Sequence, residues 1–149
     1  MFERPTRIAI HYRHGDALKV TDDHLKGALE LPLPTVTELL ETLLNSSSSV
    51  LFKRPVVIDF YSQGRVELFE SFRMKFPNTN FLLEPEDAEC VEIITHFDGM
   101  VQADVLVASP SAFSSLVAAL NSHAVVLAPE ERNTHSHTHL SQGKQMHHP

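Results

Sequence analysis

The sequence predicts an α/β protein: a Rossmann-like parallel sheet of about five strands with helices on both faces. Three observations carry that prediction. Short apolar runs rich in β-branched and aromatic residues alternate with segments of helical periodicity. The alternation repeats at a spacing that suits right-handed crossover connections. A chain of 149 residues, 42% of them hydrophobic, can build one core but no second full domain. The expected organisation is one domain over residues 1–129 and a disordered, polar, His-rich tail over 130–149, which holds His135, His137, His139, His147 and His148 of the ten histidines.

The first strand is Arg7 to Tyr12, an apolar run that stops at Arg13-His14-Gly15-Asp16. Val36, Leu39, Leu40, Leu43 and Leu44 then recur at i, i+3, i+4, i+7 and i+8 behind a Thr35-x-x-Glu38 capping box, and Asn45 with four serines ends that helix. Pro55 to Tyr61 is the second strand. Gly64 opens a helical segment with Val66, Phe69, Phe72 and Phe76 on one face, closed by Pro77-Asn78. Phe81 to Leu83 is a short third strand, and Glu86 to about Thr95 reads as a helix with acidic residues in its first turn. Asp104 to Ala108 is the fourth strand, Pro110 to Asn121 a helix with Phe113, Leu116, Val117 and Leu120 on one face, and Ala124 to Leu127 the fifth strand.

Composition removes several function classes. Twelve Lys and Arg against nineteen Asp and Glu leave a formal charge of −7, so a basic face able to neutralise a run of nucleic-acid phosphates is not expected. The single cysteine, Cys90, forms no internal disulfide and lies in a periodic apolar segment, as a small buried hydrophobe would. No apolar run reaches the roughly 18 residues of a bilayer span, and Met-Phe-Glu-Arg-Pro is not a secretory leader, so the chain is expected to be soluble with no membrane segment. Neither G-x-G-x-x-G nor G-x-x-x-x-G-K-[ST] occurs, which leaves dinucleotide and P-loop chemistry without support. Asp22-Asp23-His24 reads as a solvated loop, and the histidines of the tail lack the outer partners that fix a metal's geometry, so no metal site is expected.

In parallel sheets of this kind ligands sit beyond the carboxyl ends of the strands. Two such ends carry chemistry. After the first strand, His11-Tyr-Arg13-His14-Gly15-Asp16 sets a guanidinium, two imidazoles and a carboxylate about a glycine that permits a tight turn. After the fourth, Ser109-Pro110-Ser111-Ala112-Phe113-Ser114 begins a helix, with Ser109 as N-cap and Pro110 at the first helical position. Free N–H groups and small hydroxyls at a helix start bind anions, so with Arg13 opposite, the pair would hold a diphosphate. Taken singly, the default roles are a helix cap and a surface ion pair of Arg13 with Asp16. Asp59, inside the second strand, faces either the crevice or a helix.

The segment His11-Tyr-Arg13-His14-Gly15-Asp16 resembles the H-x-R-R-G-D signature of fucosyltransferase-like glycosyltransferases. Phe97-Asp-Gly-Met-Val-Gln-Ala-Asp104-Val-Leu-Val-Ala-Ser109-Pro-Ser111-Ala-Phe113-Ser114 is similar to their second signature. Between the two, Tyr61-Ser62-Gln63-Gly64 and Lys75-Phe76-Pro77-Asn78 are similar to the family's intervening strand-end loop and helix end. The resemblance spans about Arg7 to Pro129 and implies the nucleotide-sugar-binding half of a GT-B fold.

It implies that Arg13 is catalytic, contacting the diphosphate of a nucleoside-diphosphate sugar and stabilising charge on the departing nucleotide. A permanently charged planar guanidinium suits that task. It implies that Ser111, with the neighbouring Ala112, Phe113 and Ser114, holds the other phosphate oxygens, and that His11 and His96 lie near base or ribose. His14, Gly15, Asp16, Ser62, Gly64 and Ser109 complete the donor-binding set. The implied donor is a GDP-sugar, the acceptor a glycan or protein hydroxyl, and the reaction metal-independent. His14 stands where the family has a second arginine, and only six residues precede the first strand, so the chain is expected to be a fragment lacking the acceptor domain, its parent a secretory-pathway or Golgi enzyme. The alternatives are a catalytically inactive nucleotide-binding or protein-interaction module of the same fold, and an α/β domain in which both motifs are structural.

Overall fold

The computed structural model describes residues 4–14, 31–46, 53–85, 93–122 and 124–127. Gly15, Asp16, Asp22-Asp23-His24, Cys90 and the 130–149 tail lie outside the described residues.

Five strands form one all-parallel sheet: β1 (Thr6–His11), β2 (Val56–Gln63), β3 (Thr79–Glu84), β4 (Val105–Val107) and β5 (Val125–Leu127), in the order β3-β2-β1-β4-β5. Helices α1 (Leu33–Asn45), α2 (Glu70–Lys75, entered through a 3-10 turn over Val66–Phe69), α3 (Ile93–Val101) and α4 (Ala112–Leu120) connect them. This is the Rossmann-like α/β class. β1 is central, paired with β2 on one side and β4 on the other, which explains why its apolar run shows little alternation.

Helices cover both faces. Ile8, Ile10, Ile58, Phe60, Val105 and Val107 point to the side where Val36 and Leu40 of α1 and Phe69 and Phe72 pack. Ala9, Tyr61 and Leu106 point the other way, against Met100 of α3 and Val117 of α4. At the amino ends, the buried Asp59 carboxylate is paired by the Arg7 guanidinium at 2.9 Å and the Asn80 amide at 2.8 Å. That satisfies a charge that burial would otherwise penalise, and it answers which way Asp59 faces. Asp104 accepts the Arg7 backbone N–H at 2.9 Å and pairs with Arg4, tying the start of β4 to β1.

Most strand ends shift by one or two residues from the sequence reading, and three helix boundaries shift for a physical reason. Helix α1 starts at Leu33, ahead of the Thr35/Glu38 box, and has no side-chain cap. Pro32 at the cap and Pro34 in the first turn need no N–H partners there, so the helix begins without help from Thr35. Helix α3 runs on to Val101 because Phe97, Met100 and Val101 continue the apolar face onto the sheet; 86–92 lie outside the described residues. Helix α4 is capped by Ser111, not Ser109: its side chain accepts the Ser114 N–H at 3.0 Å. Among the described residues no helix is long and apolar enough to cross a membrane.

Candidate functional site

The connections β1-β2-β3 progress towards one sheet edge and β4-β5 towards the other, so the order reverses between β1 and β4. A crevice opens at such a reversal, beyond the carboxyl ends. Here it is a cavity of about 390 Å³, within the range of small-molecule sites. The end of β1 contributes His11, Tyr12, Arg13 and His14; the end of β2, Tyr61, Ser62 and Gln63; β3, Glu84; α3, His96 and Met100; and the start of α4, Ser111, Ala112 and Phe113. A groove between α1 and α2 is larger, about 590 Å³, but lies away from every strand end and from both motifs.

Strand alternation explains how His11 reaches α4. Residues 7, 9 and 11 share one face, the face of α3 and α4. There the His11 ring lies 5.2 Å from Phe113, and its Nδ1 is 2.5 Å from Ser114 Oγ and 3.0 Å from Ser109 Oγ. Both serines are buried and neither lines the cavity. On the opposite face Tyr12 packs against Phe60 and Phe69. His14 packs against Tyr12 and Phe69, and its buried Nδ1 has no hydrogen-bond partner among the described residues. Ser62 is buried too, and its hydroxyl donates to the Tyr12 carbonyl at 2.7 Å, fixing the path of the chain into Arg13.

At the β3 side of the cavity, His96 Nδ1 is 3.3 Å from Glu84 Oε1, and the His96 ring meets Tyr61 edge-on at 5.3 Å. The Tyr61 hydroxyl is pushed up to about 12, first by burial and then by the negative charge of Asp59. It stays protonated at neutral pH. The Tyr61 hydroxyl lies against Gly99 of α3, where an added Cβ would come within 2.4 Å of it.

Of the residues singled out from sequence, His11, Arg13, His14, Ser62, His96, Ser111, Ala112 and Phe113 line this one cavity. Ser109 and Ser114 stand behind His11 instead of on the wall. Gly64 is also off the wall: with φ 103° it turns the chain after β2 and donates its N–H to the Glu84 carbonyl at 2.8 Å. Gly15 and Asp16 are outside the described residues. Sequence reasoning missed Tyr12, Tyr61, Gln63, Glu84 and Met100 as wall residues. Glu84 had a readable signal, being the first polar residue after the apolar run Phe81-Leu82-Leu83.

Among the described residues, Arg13, three imidazoles and one carboxylate, Glu84, line this space, on a chain of net charge −7. Such a wall suits an anion, with Glu84 placed to accept a hydrogen bond from a ligand's donor group. Among the described residues no group of three or more His, Cys, Asp or Glu is arranged to hold a metal ion. Comparison with known protein families and with curated protein sequences finds no match.

Proposed function

We propose that this domain binds a nucleoside-diphosphate sugar, with GDP-sugar as the donor, and forms the donor half of a fucosyltransferase-like glycosyltransferase of GT-B architecture. One observation carries the reading. Arg13 and Ser111, almost a hundred positions apart and each from a different motif, line the same cavity at the point where strand order reverses. A guanidinium and a capped helix start on one cavity wall would offer a bidentate cation and backbone N–H donors to adjacent phosphoryl groups.

In sugar transfer the bond between the anomeric carbon and the diphosphate breaks, and negative charge grows on the leaving phosphate. Arg13, a permanent cation on the cavity wall, stabilises that charge. His14 stands where the family's signature has a second arginine. The acceptor hydroxyl comes from a glycan or a protein.

The test is a calorimetric titration of GDP into wild type and Arg13→Ala. Losing a charge-assisted, bidentate contact weakens GDP by about 10- to 100-fold. Equal affinity in the two proteins removes the phosphate role of Arg13. GDP binding without sugar transfer by the full protein assigns the chain to the inactive nucleotide-binding alternative.

A further inference from the structure

We infer that Ser109 and Ser114 are positioning residues and not ligands: with Ser111 they form a directed hydrogen-bond relay that holds the Nδ1 proton of His11 and turns the Ser111 hydroxyl proton towards the cavity. The inference rests on the phosphate reading above and specifies how the site selects its ligand.

Burial separates the three serines. Ser114 is 1% exposed and Ser109 4%, and neither lines the cavity, whereas Ser111 does. The two hidden hydroxyls sit between His11 and Ser111, the two groups that can touch a ligand. Ser114 Oγ is 2.5 Å from His11 Nδ1, Ser109 Oγ is 3.0 Å from the same nitrogen, and the two oxygens are 3.2 Å apart.

Proton accounting gives the chain a direction. A hydroxyl has one proton and two lone pairs. Ser111 Oγ accepts the Ser114 backbone N–H at 3.0 Å and the Ser109 hydroxyl at 3.5 Å. With one lone pair engaged by the Ser114 N–H and the Ser109 hydroxyl turned towards the other, Ser111 is left with its proton to offer a ligand. Ser109 has given its proton to Ser111, so its contact with Ser114 requires Ser114 to donate. Ser114 has then given its own proton away, and its 2.5 Å contact with Nδ1 requires the ring to donate. The opposite tautomer would set the bare Nδ1 lone pair against the Ser109 oxygen 3.0 Å away.

All contacts agree with one order: His11 Nδ1–H to Ser114, Ser114 to Ser109, Ser109 to Ser111. Each donor polarises the next, so the end of the chain is a stronger donor than an isolated serine. The relay therefore favours a ligand whose facing atoms only accept, as phosphoryl oxygens do, over a hydroxylated ligand that needs an acceptor there. It also ties the first motif to the second, because the imidazole that ends β1 is oriented by hydroxyls from the β4-α4 turn.

The first measurement needs no variant. Long-range ¹⁵N–¹H spectra of ¹⁵N-histidine-labelled protein, recorded where imidazoles are neutral and with the His11 signal assigned by His11→Gln, should show His11 protonated at Nδ1. Protonation at Nε2 overturns the relay. The second is calorimetric titration of inorganic pyrophosphate. Ser114→Ala should weaken it about fivefold and abolish the Nδ1–H signature, and Ser114→Thr, which keeps the hydroxyl, should restore both. If Ser114→Ala binds pyrophosphate as tightly as wild type while Arg13→Ala does not, the relay is overturned and the phosphate site stands. If wild type binds no pyrophosphate, the phosphate reading falls and the relay's role in selection falls with it.

Discussion

The two faces of the sheet bury different materials. Under α1 and α2 the contacts are aromatic: Phe60 lies 5.0 Å from both Phe69 and Phe72 and 5.3 Å from Phe81. Under α3 and α4, Met100, Leu106 and Val117 are buried among small or polar residues: Ala9, Ala103, Ala108, Ser109, Ser114, Asp59 and the hydroxyl-bearing Tyr61. Large rings remove more apolar area from water per residue, so the first face supplies most of the packing energy. Small residues let α4 approach the sheet closely enough for a serine on the helix to reach an imidazole on β1. The difference separates stability from recognition.

The largest effect should come from the aromatic face. Phe72→Ala, at a fully buried position, should cost about 3–5 kcal/mol in urea unfolding while leaving GDP affinity unchanged in the folded fraction. A loss of GDP affinity comparable to that of Arg13→Ala would show that the faces are not separable.

A smaller effect is expected where α3 meets Tyr61. Gly99→Ala sets a methyl group against the Tyr61 hydroxyl, and Tyr61 also lines the cavity, so a shift of its ring disturbs the wall. It should therefore lose about 1–2 kcal/mol of stability and weaken GDP binding together, with both recovered on adding Tyr61→Phe. An additive double mutant would show that the two residues do not press on each other.

The smallest effect concerns alkaline pH. An unfolded tyrosine ionises near its ordinary 10, whereas Tyr61 in the folded chain holds its proton to about 12. Its contribution is thus fully present below pH 10 and is lost as pH rises from 10 to 12, because there the unfolded state binds fewer protons. Urea midpoints measured across that interval should fall less steeply in Tyr61→Phe than in wild type, and parallel curves would refute the role of the phenol.

Sequence pattern conveyed the class of fold well, because the signals involved are local and repeated. Val36, Leu40 and Leu43 repeat at helical spacing, and runs such as Val56-Val57-Ile58 and Val105-Leu106-Val107 are bounded by polar or turn residues. Boundaries were less legible where two local rules competed, as with Pro32 and Pro34 starting α1 before the Thr35 box, or Ser111 taking the cap from Ser109. The wall residues contributed by neighbouring strands were harder still. Tyr61 reads as one more apolar strand residue, and its position beside His96 depends on β2 lying next to β1 and on α3 crossing that face. Ser114, expected among the phosphate contacts, is buried against His11 only through the β1-β4 pairing, which sequence spacing does not show.

The central place of β1 bears on how the chain is made. Its first partner, β2, begins fifty positions later, and the Arg7 contact with Asp104 bridges a separation of 97. Contacts that distant slow folding, since a long loop must close before they form. On the ribosome, β1 is made before the other strands of this sheet and has one edge unsatisfied until β4 is synthesised, which leaves this apolar strand open to wrong pairing and to chaperone capture.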